Sequence, residues 1–179
     1  MKKLLLLVAL FSMALGVQAR KVAFRVDMTG QTVSANGVHF TGNFKNIDYA
    51  GVDENPNLIS WDPAAYALTA NGNIYTYVLD VAAGLPYEFK FINGNDWGSA
   101  ENIPTASQVG GGNGNRWVYI PASTATDTLM LAPIMFSGNA PAGQKLIRLN
   151  VDMAKVTAVS TNGVHLAGNL VEWDPAKFQ

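Results

Sequence analysis

The chain has 179 residues, 49% of them hydrophobic, with 12 basic and 13 acidic side chains and a formal net charge of −1. So even a balance, with no long run of either sign, excludes the electrostatic footprint of a nucleic-acid binder or of a protein drawn to an anionic membrane surface. Cysteine is absent, so disulfides and thiolate metal sites are excluded too, and an apolar core has to hold the fold.

The chain opens with "MKKLLLLVALFSMALGVQA": two lysines, an apolar run from Leu4 to Gly16, and small residues at Val17 and Ala19 before Arg20. This order reads as a cleavable secretory signal. Its apolar run is too short for ~30 Å of hydrocarbon, and no later segment has the length and apolarity to span a membrane. Without Lys2 and Lys3 the exported chain holds ten basic residues against 13 acidic.

Next comes a strand pattern, with Val22, Phe24, Val26 and Met28 alternating with Arg25 and Asp27. It leads into "SANGVHFTGNF", Ser34 to Phe44. A polar stretch with Tyr49, Asp48, Asp53, Glu54, Asn55 and Asn57 follows. Its oxygens suit calcium in kind, but their spacing matches no EF-hand loop, and a solvated loop is the better reading. "SWDP" closes the stretch, with Asp62 before Pro63 starting a turn.

The runs "NIYTYVLD" and "PYEFKFI" are aromatic and β-branched, and Gly84 and Pro86 punctuate a hairpin-like connection between them. Tyr87, Phe89 and Phe91 share one face of the second run, leaving Glu88 and Lys90 on the other. A glycine-rich loop, "VGGGNGN", precedes "RWVYI". There Trp117 and Tyr119 alternate with Val118 and Ile120, and the pattern leaves open which pair faces the core. "DTLMLAPIMF" supplies a last strand, and "SGNAPAGQ" reads as a linker.

After the linker the chain repeats itself. "IRLNVDM" (Ile147 to Met153) matches "VAFRVDM" (Val22 to Met28) at a shift of 125, and "STNGVHLAGNL" matches "SANGVHFTGNF" at a shift of 126. "EWDPAKF" pairs with "SWDPAAY". Asn43 and Trp61 lie 18 positions apart whereas Asn169 and Trp173 lie 4 apart, so the first copy carries 14 extra residues. The second copy has no counterpart of residues 67 to 120, and the expectation is a module cut short. His39 and His165, the only histidines, hold the same place in both copies, as a packing or hydrogen-bonding role would require. Catalysis finds no support. There is no Gly-x-Ser-x-Gly elbow, and the repeated carboxylates fall in strands (Asp27, Asp152) and turns (Asp62, Asp174) rather than across a cleft.

In order and spacing, "VAFRVDM", "GVHFTGNF", "WDPAAYALT", "IYTYVLDVAAGLPYEFKFINGNDWG" and "NRWVYI" resemble the early-set immunoglobulin-like modules of the starch- and glycogen-binding class. The resemblance covers the first repeat and the front third of the second. It implies a carbohydrate platform of two tryptophans with a lysine and an asparagine beside them, which fall here on Trp61, Trp97, Lys90 and Asn115. The weakly polar C–H faces of a glucose ring pack on aromatic faces while its hydroxyls need donors and acceptors at the edges. The ordinary readings stand beside these: Lys90 as a solvated strand lysine paired with Glu88, Asn115 as a turn former.

The expectations are therefore an all-β, immunoglobulin-like antiparallel β-sandwich followed by the start of an incomplete second copy. Residues 1–19 form the signal, 20–136 the module, 137–144 the linker and 145–179 the second repeat. The function implied by the resemblance is that of a secreted or cell-surface, non-catalytic α-glucan-binding module of a longer protein, with neighbouring modules as partners and no cofactor or metal. The competing reading is a spacer or adhesion module that binds no sugar.

Overall fold

The computed structural model describes residues 19–45, 57–108, 114–121 and 126–145, and beyond these 147, 149, 151, 153, 155–158, 160, 163–169 and 173–174. The expected signal apart from Ala19, most of the insertion with its calcium candidates other than Asn57, and most of the glycine-rich loop lie outside the described residues. Two compact units divide the chain, Met1–Leu146 and Ile147–Gln179.

Among its described residues the first unit is all-β, with nine strands in two sheets and two short 3-10 turns, Trp97–Ser99 and Thr105–Ser107. Among the described residues no helix is long and apolar enough to cross a membrane. One sheet is built on β1 (Ala19–Asp27), which pairs antiparallel with β5 (Ile74–Ala82). β4 (Thr69–Asn71) lies on the far edge of β5. The other sheet runs β3 (Tyr66–Ala67), β2 (His39–Gly42), β6 (Leu85–Ile92), β7 (Arg116–Ile120), all antiparallel.

The free edge of β1 is taken by β8 (Leu129–Met130) and β9 (Ile134–Met135), both parallel to it. The last strand expected from "DTLMLAPIMF" is thus two short pieces. Pro133 stands between them and has no N–H to give to a ladder.

The period-two alternation of β1 and β6 decides the core. Val22, Phe24 and Val26 project from one sheet, and Tyr87, Phe89 and Phe91 from the other, all buried. Phe24 stacks on Phe40 with ring centroids 4.9 Å apart and meets Phe89 edge-on at 5.3 Å. These contacts across the layers make the two sheets a sandwich.

One expectation is corrected. β5 and β6 do not form a hairpin: β5 pairs with β1 and β4, β6 with β2 and β7. Their connection is a corner between the sheets, turned at Gly84 with φ +79°, whose N–H donates to the Ile120 carbonyl at 2.7 Å. Leu79 and Val81 on β5 are buried in the same core as Tyr87 and Phe89 on β6, so the two strands face each other across the core instead of meeting edge to edge.

In the second unit no strand forms among the described residues, and Ile147, Leu149 and Val151 are exposed. Two local structures of the first unit nevertheless recur in it. Gly37 and Gly163, with φ of +78° and +82°, each donate to the carbonyl of the serine three positions back at 2.9 Å. Trp61 and Trp173 each donate a backbone N–H to the matching glycine, Gly42 at 3.0 Å and Gly168 at 2.9 Å. The repeated words therefore encode turns, and the insertion in the first copy is looped out between two points that the second copy joins directly.

Candidate functional site

The outward face of β6 and β7 holds the candidate site. Register brings Glu88 opposite Trp117 and Pro86 opposite Tyr119, with Phe89 opposite Arg116. Continuing that ladder sets Lys90 level with Asn115, and a Cβ built on Gly114 would stand 3.7 Å from the Lys90 ammonium nitrogen. On its other side Lys90 is opposite Thr41 of β2. Read from one end, the face presents Lys90 and Asn115, then Glu88 and Trp117, then Pro86 and Tyr119.

Two of the four expected residues are thus neighbours, and the structure shows how they are used. Asn115 is buried, and its amide nitrogen donates to the Glu88 carboxylate at 2.9 Å. Lys90 is partly buried. Arg116, between Asn115 and Trp117, points the other way into a buried pair with Glu101. Its Nε reaches Oε1 at 2.9 Å, its Nη2 reaches Oε2 at 2.6 Å, and Nη2 also donates to the Gly138 carbonyl at 2.9 Å. Glu101 in turn accepts the backbone N–H of Phe91 at 2.9 Å and of Ser137 at 3.2 Å. This buried bidentate pair pins the start of β7 to β6 and so fixes where Asn115 and Trp117 stand.

Trp97 lies beyond the Ile92 end of β6 and is 49% exposed. Its loop is closed by Asn93 donating to the Ser99 carbonyl at 2.9 Å and by a bridge between Ile92 and Ala100. Asp96 caps the 3-10 turn, its Oδ1 accepting from Gly98 N–H at 2.8 Å. Asn93 then ties the loop to the 32–36 segment, accepting from Ser34 N–H at 2.9 Å and donating to the Thr32 carbonyl at 2.9 Å. An indole on such a braced loop is pre-organised, so a ligand meets a surface whose ordering cost folding has already met.

Trp61 is placed elsewhere. Its bond to Gly42 sets it at the far end of β2, level with Phe89 and on the β3 side. It is half-buried, and its φ of 55° is in the left-handed region, where a bulky side chain is an outlier. Asp62 follows as the start of a turn, its carbonyl accepting from Ala65 N–H at 3.2 Å and its Oδ1 from Ala64 N–H at 2.9 Å; Trp173, before Asp174, has a like φ of 60°. Tyr66 secures the returning end of the insertion, accepting from Ile59 N–H at 2.7 Å and donating to the Ile59 carbonyl at 3.1 Å. Burial pushes its phenol above the ordinary tyrosine range, partly offset by that backbone bond.

Glu88, Trp117 and Tyr119 were not among the expected site residues. The alternation of "RWVYI" left two assignments open because all four residues carry apolar bulk. The usable signal was parity with Asn115, which places Trp117 and Tyr119 on its face.

No family model matches the chain, and no curated protein matches it. Among solved structures it is similar to the gamma-CGTase from alkalophilic Bacillus clarkii, at 25% identity and a TM-score of 0.41 over 66% of this chain. The match spans 15% of that chain, and at such a score the likeness adds nothing to the architecture described above.

Proposed function

We propose that the chain is an exported, non-catalytic carbohydrate-binding module of the immunoglobulin-like type, that it takes α-1,4-glucans, and that it acts within a longer multi-module protein. The observation that carries this is Trp97, half-exposed on a loop braced from both sides. A core tryptophan would be covered, and an idle surface loop would not be so fastened. Lys90, Asn115 and Glu88 lie on the outward face of β6 and β7, and the Trp97 loop leaves from the Ile92 end of β6; the three supply donors and acceptors for hydroxyls. Trp97 is the chief platform in this reading and Trp61 a secondary one.

A spacer module that binds no sugar is the competing reading, and the half-burial of Trp61 together with the commitment of Asn115 to Glu88 favours it. A shallow platform of this kind gives dissociation constants of roughly 10 μM to 1 mM, about 4 to 7 kcal/mol. The full chain should be retarded in a native gel containing glycogen or amylopectin. Trp97→Ala should abolish the retardation with the melting temperature nearly unchanged. A wild-type chain that runs unretarded with both polysaccharides would leave the spacer reading standing.

A further inference from the structure

We infer that the binding face does not stop at Asn115 but continues along β7 through Trp117 and Tyr119, so that its ligand is an extended run of a glucan chain and not a short end. This rests on the α-glucan reading above and goes beyond the four residues that carry it.

β7 divides its side chains cleanly. Ile120 is fully buried and Val118 packs against the core, while Trp117 is 50% and Tyr119 44% exposed on the opposite face. β7 is the last strand of its sheet, with nothing hydrogen-bonded beyond it among the described residues. The two rings therefore lie at an open edge that a polymer can run along.

Their surroundings suit a sugar. Opposite Trp117 on β6 is Glu88, whose carboxylate accepts one bond from Asn115 and keeps lone pairs for hydroxyl donors. Opposite Tyr119 is Pro86, exposed and apolar. An apolar ring face with a hydrogen-bonding group at its margin is the pairing that a pyranose requires, one face of C–H groups and a rim of hydroxyls.

The spacing suits a chain. Residues two apart on a strand are ~7 Å apart, so Trp117 and Tyr119 offer successive stacking positions. From the level of Pro86 to that of Ile92, where the Trp97 loop begins, β6 covers six residues, or ~20 Å, several sugar rings in length. Lys90, Asn115 and Glu88 occupy the middle of that track, with Trp97 beyond one end and Trp117 and Tyr119 toward the other.

The test titrates the full chain with linear α-1,4-linked glucose oligomers of rising length, from disaccharide to heptasaccharide, by calorimetry. Wild-type affinity should climb about tenfold across the series, a factor worth ~1.4 kcal/mol. The double variant Trp117→Thr, Tyr119→Thr keeps strand-forming residues at both places. It should flatten that climb while holding the disaccharide affinity, whereas Trp97→Ala should weaken every length. A double variant that retains the climb, or that weakens all lengths by one factor, overturns the extension and leaves the α-glucan reading intact. Wild-type binding to no oligomer sinks both. Sedimentation of the same samples covers protein docking: a wild-type oligomer that the double variant dissociates, with sugar affinities unchanged, assigns the two rings to a protein contact and also overturns the extension.

Discussion

Arg116 and Glu101 show what a single buried contact does in this molecule. Their bidentate pair joins β7, the backbone of β6 and the Ser137–Gly138 turn, so removing one partner leaves the other charge buried and unpaired. Glu101→Ala should cost ~3 to 5 kcal/mol in denaturant unfolding, and a loss below ~1 kcal/mol would mean that water already reaches the pair. This role was not legible beforehand: Glu101 stands in an unpatterned stretch, and "SGNAPAGQ" has a linker's composition although its first two residues are fastened by the pair, Ser137 by Glu101 and Gly138 by Arg116. Tyr66 gives a second test. Its phenol is raised by burial, so the folded state holds a proton that the unfolded chain has released. That contribution is complete below pH ~10 and is lost as pH rises through the raised value. Tyr66→Phe should therefore flatten the alkaline fall in stability, and a fall as steep as wild type would assign the sensitivity to another group.

At the scale of elements, alternation made β1 and β6 readable in advance, because each has one wholly apolar face and a period of two has no other reading. Pairing was not readable in the same way. The alternation of Ile74–Ala82 and Leu85–Ile92 says that each strand has a buried face, but not whether the two share a sheet, and the hairpin expected between them is a corner. The contact between β2 and β6 gives the sharpest test here. A Cβ on Gly42 would stand 2.3 Å from the Glu88 carbonyl oxygen and 2.8 Å from the Phe44 ring, and the first of these is backbone that cannot rotate away. Gly42→Ala should force the strands apart and destabilise the module by several kcal/mol, on the order of the ~3 to 5 kcal/mol expected for the cavity left by Phe89→Ala. Thermal unfolding of both variants checks this, and a Gly42→Ala protein as stable as wild type would show that the sheet tolerates a wider spacing.

For the whole molecule, the repeat was legible as words and the structure shows what the words encode: the Gly37 and Gly163 turns and the Trp61 and Trp173 reversals have the same geometry in both units. The apolar residues of β1 and of its second copy nonetheless differ in fate. Val22, Phe24 and Val26 are buried under an opposing sheet, while Ile147, Leu149 and Val151 are exposed, because alternation carries a strand into a core only where partner strands form. Limited proteolysis should accordingly cut in 147–179 well before it cuts in 19–136, and equal resistance of the two segments would contradict this. The central claim, a glucan site on the outward face of β6 and β7, is tested most directly by the indole N–H resonances of the four tryptophans during titration with a linear α-1,4-glucan heptasaccharide. Trp97 and Trp117 should shift together along one saturating curve, with Trp61 moving less. Shifts confined to Trp173, or no shift at saturating sugar, would contradict the account.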